Sequence, residues 1–215
     1  IAAQDRINLF NKETVFMKTH SALCTFENNS FTNTINTKAA IYVVRDPRNV
    51  ITSISHHYSL NIEECYNFII NNKNMLAQWG SETFGMGTIL GSWLEHYKSW
   101  RNLKFSPILV VKYEDLLSDT KKTFTSILNF LNNLINIEIN EERIKNTVNS
   151  CDFDVLVKKE MMEGFNESVV SKKDDKKINF FHLGRKNNWK DLLDPKIEKK
   201  IREVFLKEMK ELGYI

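Results

Sequence analysis

Short apolar runs alternate with longer amphipathic stretches along this chain, and three of the runs end in a polar cluster. Thr14 to Met17 leads into Lys18-Thr19-His20 and predicts a strand. Residues 24–38, rich in Asn and Thr, read as a loop. Ala39 to Val44, broken only by Tyr42, predicts a buried strand that stops at Arg45. Asp46 is a helix cap and Pro47 suits the first helical position, so a helix is expected over Pro47 to Tyr58. Ile62 to Asn72 has helical spacing. The glycine-bearing stretch Asn71 to Gly87 reads as loop. Thr88 to Leu103 predicts a helix with Leu90, Trp93, Leu94, Tyr97 and Trp100 on one face. Pro107 opens Ile108-Leu109-Val110-Val111, the pattern of a strand buried on both sides. Asp119 caps a helix in which Phe124, Ile127, Leu128 and Leu131 recur at helical spacing. Asn140 starts a shorter helix through Val148. Lys158 to Lys177, nearly free of aliphatics, reads as a mobile surface segment. Asp194-Pro195 opens the last helix, with Ile197, Ile201, Val204, Phe205 and Met209 inside and Gly213 as its stop.

Short strands alternating with helices predict an α/β protein, a parallel central sheet flanked by helices. At 215 residues, with no repeat and no Pro/Gly linker, the chain is expected to form a single domain. A net charge of +3 fits a local basic pocket for a small anion rather than a nucleic-acid face, which needs a denser basic stripe. No apolar run approaches membrane-spanning length. Cys24, Cys65 and Cys151 are scattered without metal-type spacing, which predicts reduced thiols in the cytoplasm and no metal centre. The chain starts at Ile1 without a signal-peptide pattern, and an upstream strand is expected to be missing.

In an open α/β sheet, ligands bind at the carboxyl ends of the strands. Arg45 stands at such an end, beside a helix start, a combination suited to phosphate; a surface salt bridge is the alternative. Ser53, two turns along that helix, is placed to reach an anion held by Arg45, or it faces solvent. Lys18 and His20 supply a cation and a base of near-neutral pKa, unless the histidine is structural. Tyr113-Glu114-Asp115 ends the third strand; capping and packing would explain it equally. Gly184-Arg185-Lys186-Asn187-Asn188-Trp189-Lys190 fits either a lid over phosphate or a basic loop with one anchoring aromatic.

Taken in order, these clusters resemble the PAPS-dependent sulfotransferases of the cytosolic type, which use 3′-phosphoadenosine-5′-phosphosulfate (PAPS). Lys18-Thr19-His20 is similar to the family's Lys-Thr-His motif. Arg45-Asp46-Pro47-Arg48-Asn49-Val50 through Ser53 is similar to its 3′-phosphate motif. Leu90-Gly91-Ser92-Trp93 through Ser99-Trp100 resembles a further family segment, and Tyr113-Glu114-Asp115-Leu116 its Tyr-Glu-Asp-Leu. The resemblance implies a P-loop-NTPase-like fold and transfer of a sulfuryl group from PAPS to a small acceptor with a hydroxyl or amine, without metal. It implies His20 as general base and Lys18 as a cation beside the transferring group. Arg45 and Ser53 would hold the 3′-phosphate, with Tyr113, Asp152 and Phe153 on the adenine side and Gly184 as the glycine of the closing lid.

The sequence departs from the family at several points. His182-Leu183-Gly184 stands where Arg-Lys-Gly is usual, so Arg185 or Lys186 is expected to take over a phosphate contact. Asn187-Asn188 replaces a glycine before Trp189. Asp194-Pro195 stands where the family's dimer motif has Thr-Val, so that dimer is not expected. No loop rich in Gly, Ser and Thr with a lysine is present to cradle the 5′-phosphosulfate. Residues 1–215 alone are therefore expected not to transfer sulfate. The alternatives are a catalytically inactive nucleotide-binding relative and, disfavoured by Lys-Thr-His, a P-loop kinase. Phe26, Phe31, Trp79 and Phe84 are candidates to line an apolar acceptor pocket. His20, Arg45 and Tyr113 are expected to converge on one crevice.

Overall fold

The computed structural model describes residues 4–7, 14–76, 87–171 and 175–215. In chain order, β1 (Thr25–Phe26) and β2 (Asn29–Ser30) precede β3 (Ala40–Val44), α1 (Pro47–Tyr58) and α2 (Ile62–Ile70). Then come β4 (Met75–Leu76), β5 (Thr88–Ile89), α3 (Trp93–Arg101), β6 (Ile108–Lys112), α4 (Tyr113–Ser118) and α5 (Thr120–Ile135). α6 (Glu141–Ser150), α7 (Phe153–Glu163), β7 (Val169–Val170) and β8 (Lys177–Ile178) follow. α8 (Trp189–Leu192), α9 (Pro195–Val204) and α10 (Leu206–Glu211) complete the chain. It divides into two compact units: Ile1–Val44, Ile70–Lys112 and Ser126–Ile139 form the first, and Arg45–Ile69, Tyr113–Thr125 and Asn140–Ile215 the second.

The first unit is built on β3 and β6, paired in parallel with Ala40 opposite Ile108 and Val44 opposite Lys112. The carbonyl of Pro107 extends the ladder by accepting from Ala40 N at 3.0 Å. α3 packs against both strands. Ser92 caps it, its hydroxyl accepting from Glu95 N at 3.2 Å, and Tyr97 and Trp100 are buried. The Tyr42 and Tyr97 rings meet at 6.0 Å. Val44 and Val111 are buried, whereas Ile41 and Val43 are exposed. β3 therefore shows the alternation of a strand covered on one face, not the fully buried strand its apolar run predicts.

The second unit packs α1 against α8 and α9. Its buried centre includes Ile51, Cys65, Ile201, Phe205 and Met209. Caps set the helix starts as expected: Asp46, Asp119, Asn140 and Asp194 each accept a backbone N–H two or three residues on, and Asp152 does the same for α7. The last helix is not continuous, because Phe205 leaves helical geometry between α9 and α10.

Three other expectations are corrected. Residues 14–20 form no strand among the described residues; Phe16 is 66% exposed and Met17 61%, so this stretch has no core to pair into. The helix expected from Thr88 begins only at Trp93, because Thr88–Ile89 pairs with Met75–Leu76. The segment from Lys158 starts inside α7, and β7 pairs with β8 further along.

Candidate functional site

β3 ends at Val44, and the chain passes through Arg45 into the cap of α1. In the second unit, the two arginines of this turn have different work. Arg48 is structural. Its guanidinium pairs with Asp46 at 2.7 Å and Glu198 at 3.3 Å, donates to the carbonyl of Tyr214 at 2.9 Å and lies 3.9 Å from the Trp189 ring centroid. Arg45 instead donates from Nη1 to Ser53 Oγ at 2.8 Å, with its guanidinium 4.5 Å from the centre of the Tyr113 ring. Burial lowers the Arg45 pKa from its ordinary value, opposed by Tyr113, Glu114, Asp46 and Tyr214 around it. A guanidinium stays charged through such a shift, so the site keeps a half-buried cation.

Ser53 also accepts from Asn187 Nδ2 at 2.8 Å. The same amide group donates to the carbonyl of Asn49, which fixes its orientation, and Asn187 Oδ1 accepts from Thr52 Oγ1. With both lone pairs of Ser53 Oγ engaged, its own O–H is the group left to donate. Cation and hydroxyl together suit an anion. Glu114 braces the turn: Oε1 accepts from Asp46 N at 3.1 Å and Oε2 from the Tyr214 hydroxyl at 3.0 Å. Burial, then the Glu114 charge, pushes the Tyr214 phenol up.

Gly184 and Phe153 are also brought together. Gly184 has φ +52°, and a Cβ there would fall 2.7 Å from Phe153 Cζ, so the backbone lies directly on the ring. Asp152 uses its carboxylate to cap α7, accepting from Asp154 N at 3.0 Å. Arg185 is exposed on the short turn Gly184–Lys186. His182 stacks on His56, with ring centroids 3.6 Å apart and planes 5° from parallel. The buried carboxylate of Glu160 ties down the approach to this turn, accepting from Phe180 N, Phe181 N and the Ser168 hydroxyl at 2.6–3.0 Å. Burial alone would raise the Glu160 pKa; these bonds and Lys177 outweigh it and hold it low.

Lys18 and His20 belong to the first unit, and both are exposed. There His96 Nε2 lies 3.1 Å from the carbonyl of His20. Of the acceptor candidates, Phe31 packs edge-on against Trp100 at 5.9 Å and Phe26 is exposed. Trp79 and Phe84 lie outside the described residues. Sequence reading missed Asn187, the two bonds of Glu114 and the contact of His96. Each is a partner distant in sequence, and no local signal marks it. Among the described residues, no group of three or more His, Cys, Asp or Glu is arranged to hold a metal ion, and no helix is long and apolar enough to cross a membrane.

Comparison with known proteins gives a consistent picture. The family model for the sulfotransferase domain matches residues 4–213. Sulfotransferase 2A2 of Mus musculus is 28% identical over 166 residues, covering 71% of this chain and 50% of that protein. Sulfotransferase 1B1 of Canis lupus familiaris is 27% identical over 173 residues, 79% of this chain and 54% of that protein. The chain thus spans about half the length of these relatives. Retinol dehydratase, solved with retinol and PAP, superposes with a TM-score of 0.60 at 21% identity, over 93% of this chain and 54% of that one. Its complex with androsterone and the inactive cofactor PAP gives a TM-score of 0.58 at 20% identity, over 89% of this chain and 52% of that one.

Proposed function

This chain belongs to the sulfotransferase domain family, and from that premise we propose that the protein transfers the sulfuryl group of PAPS to the hydroxyl of a small organic acceptor. The observation that carries the reading is the Arg45–Ser53–Asn187 arrangement beside Tyr113. It offers a fixed cation, a hydroxyl oriented to donate and an aromatic face within one unit. These groups match the 3′-phosphate and adenine of such a nucleotide. Gly184 and Phe153 supply a second close-packed edge. Retinol and androsterone, the molecules held by retinol dehydratase, both present an alcohol, and an apolar alcohol is the acceptor class we favour.

In this reading His20 takes the acceptor's proton as the acceptor oxygen bonds to sulfur. The bond from sulfur to the 5′-phosphate oxygen breaks, and PAP is released. Lys18 neutralises charge on the group in transit. Positioning and charge stabilisation, rather than covalent participation by the protein, do most of the catalytic work in this kind of transfer. Free Cys24, Cys65 and Cys151 support a reducing, cytoplasmic setting.

Calorimetric titration with PAP tests the anion site. Arg45→Ala is expected to weaken binding about tenfold or more, the loss of a charge-assisted contact. His20→Ala is expected to leave PAP binding intact and abolish turnover of PAPS in the protein that carries this chain. Unchanged affinity in Arg45→Ala, or a preference for ATP with magnesium over PAP, overturns the reading. So does a melting temperature that PAP does not raise.

A further inference from the structure

The segment Ser92 to Trp100 resembles a family pattern that the reading above leaves without a task. In the structure it forms α3, on which His96, Ser99 and Trp100 share one face at i, i+3 and i+4. Their polar atoms meet the backbone just after Thr19. His96 Nε2 is 3.1 Å from the carbonyl of His20, and Trp100 Nε1 donates to the carbonyl of Ser21 at 3.0 Å. Ser99 Oγ accepts from Leu23 N at 3.0 Å while donating to the carbonyl of His96 at 2.8 Å. Ala22 N, between them, donates to the carbonyl of Ile89 at 2.7 Å. Every residue from His20 to Leu23 is thus gripped through its backbone.

The tautomer of His96 follows from its partners. A carbonyl only accepts, so Nε2 carries the proton. Nδ1 then accepts, and the Tyr42 hydroxyl supplies the donor at 2.9 Å. Burial holds the His96 pKa below the ordinary histidine range, although the bond to the His20 carbonyl works the other way. Burial, with Tyr97 adding to it, pushes the Tyr42 phenol up, so its O–H stays protonated. The chain Tyr42 O–H to His96 Nδ1, then His96 Nε2–H to His20 O, has one polarity.

We propose that His96 is the positioning residue for His20, fixing through its Nε2–H the carbonyl of the residue whose imidazole takes the acceptor's proton, with Tyr42 setting the tautomer. The inference rests on the reading of His20 as base. Positioning matters here because residues 14–20 are exposed and join no strand among the described residues, so no sheet ladder aims the side chain. A displacement of about 1 Å at a reacting group costs about a hundredfold in rate. His96 itself is excluded as the base, since Nδ1 is engaged by Tyr42 and Nε2 donates.

The test measures turnover of PAPS with androsterone and with 4-nitrophenol as acceptors, in the protein that carries this chain. His96→Phe is expected to lower kcat about 10- to 100-fold, with PAP affinity unchanged within about twofold. His96→Gln retains an N–H donor at similar reach and is expected to recover most of the loss. A second readout needs no turnover. Long-range 1H–15N spectra should show His96 as the neutral Nε2–H tautomer near pH 7. Amide exchange at Ala22 and Leu23 should quicken about tenfold or more in His96→Phe but not in His96→Gln. If His96→Phe keeps kcat within about twofold while His20→Ala abolishes it, the inference falls and the base reading stands. If His20→Ala keeps its turnover, the base reading falls and this inference with it, whatever the spectra show. A charged or Nδ1–H His96, or exchange unchanged in His96→Phe, overturns the positioning contact directly.

Discussion

His20 follows a stretch that is exposed and unpaired with any described strand, whereas Arg45 directly follows β3 and leads into a capped helix. The two are secured differently. Around His20 the backbone is gripped, by side chains of α3 that reach carbonyls and amides. Around Arg45 the side chains grip one another, with Ser53, Asn187 and Tyr113 about the guanidinium and Arg48, Asp46 and Glu198 locking the turn below. A backbone grip fixes the main chain from which the imidazole projects. A side-chain network fixes charge and direction together but makes each member depend on the rest. Proton transfer and anion retention, the roles proposed for the two, have these same different needs.

The comparison breaks most visibly at Arg48. Its side chain is 5% exposed and that of Asp46 6%, so Arg48→Ala strands a buried carboxylate and is expected to cost about 3–5 kcal/mol. Denaturant midpoints measure it; a loss below about 1 kcal/mol would mean that the network is not cooperative. Gly184→Ala comes next. A positive φ and a Cβ pressed on Phe153 predict a loss of about 1–3 kcal/mol together with weaker PAP binding, and calorimetry should report both. On the other side, Trp100→Phe removes the bond to the Ser21 carbonyl and trims a buried ring that packs on Phe31. About 1–2 kcal/mol is expected, without change in PAP affinity. If PAP binding weakened as much as in Gly184→Ala, the two grips would not be separable.

Acid should weaken both regions gradually. His57 and His182 in the second unit and His96 in the first are all held below the ordinary histidine value of 6.5, chiefly by burial, with His56 adding to the first two. The unfolded chain therefore binds more protons in that window. Stability is greatest above pH 6.5 and falls as pH drops below it; melting temperatures from pH 7.5 to 5 give the check. The smallest effect belongs to the exposed Lys121–Glu141 pair: Lys121→Ala should change stability by less than about 0.5 kcal/mol in the same denaturation assay.

Much of the fold was legible in the sequence. Asp46-Pro47, Asn140 and Asp194-Pro195 marked their helices correctly, and the apolar runs at 40–44 and 108–111 found each other. The candidate site was legible in part. Arg45, Ser53 and Tyr113 stand together, as do Phe153 and Gly184. Thr14 to Met17 misled, because an apolar run specifies a strand only if a partner and a core receive it. Asn187 and His96 were invisible as contacts, because their partners lie 134 and 76 residues away.

Two sets of forces account for that division. A cap is a hydrogen bond that a backbone N–H donates to a side chain two or three residues earlier, so the sequence by itself determines where such helices begin. Apolar periodicity is local in the same way, and with it comes the α/β class. Only the tertiary structure decided which of the two neighbouring arginines offers its charge and which is consumed in packing. It alone decided that a helix histidine faces the carbonyl of His20. Those choices depend on burial and on partners brought near by folding, and in a half-buried site they determine which polar group is satisfied and which is left to act.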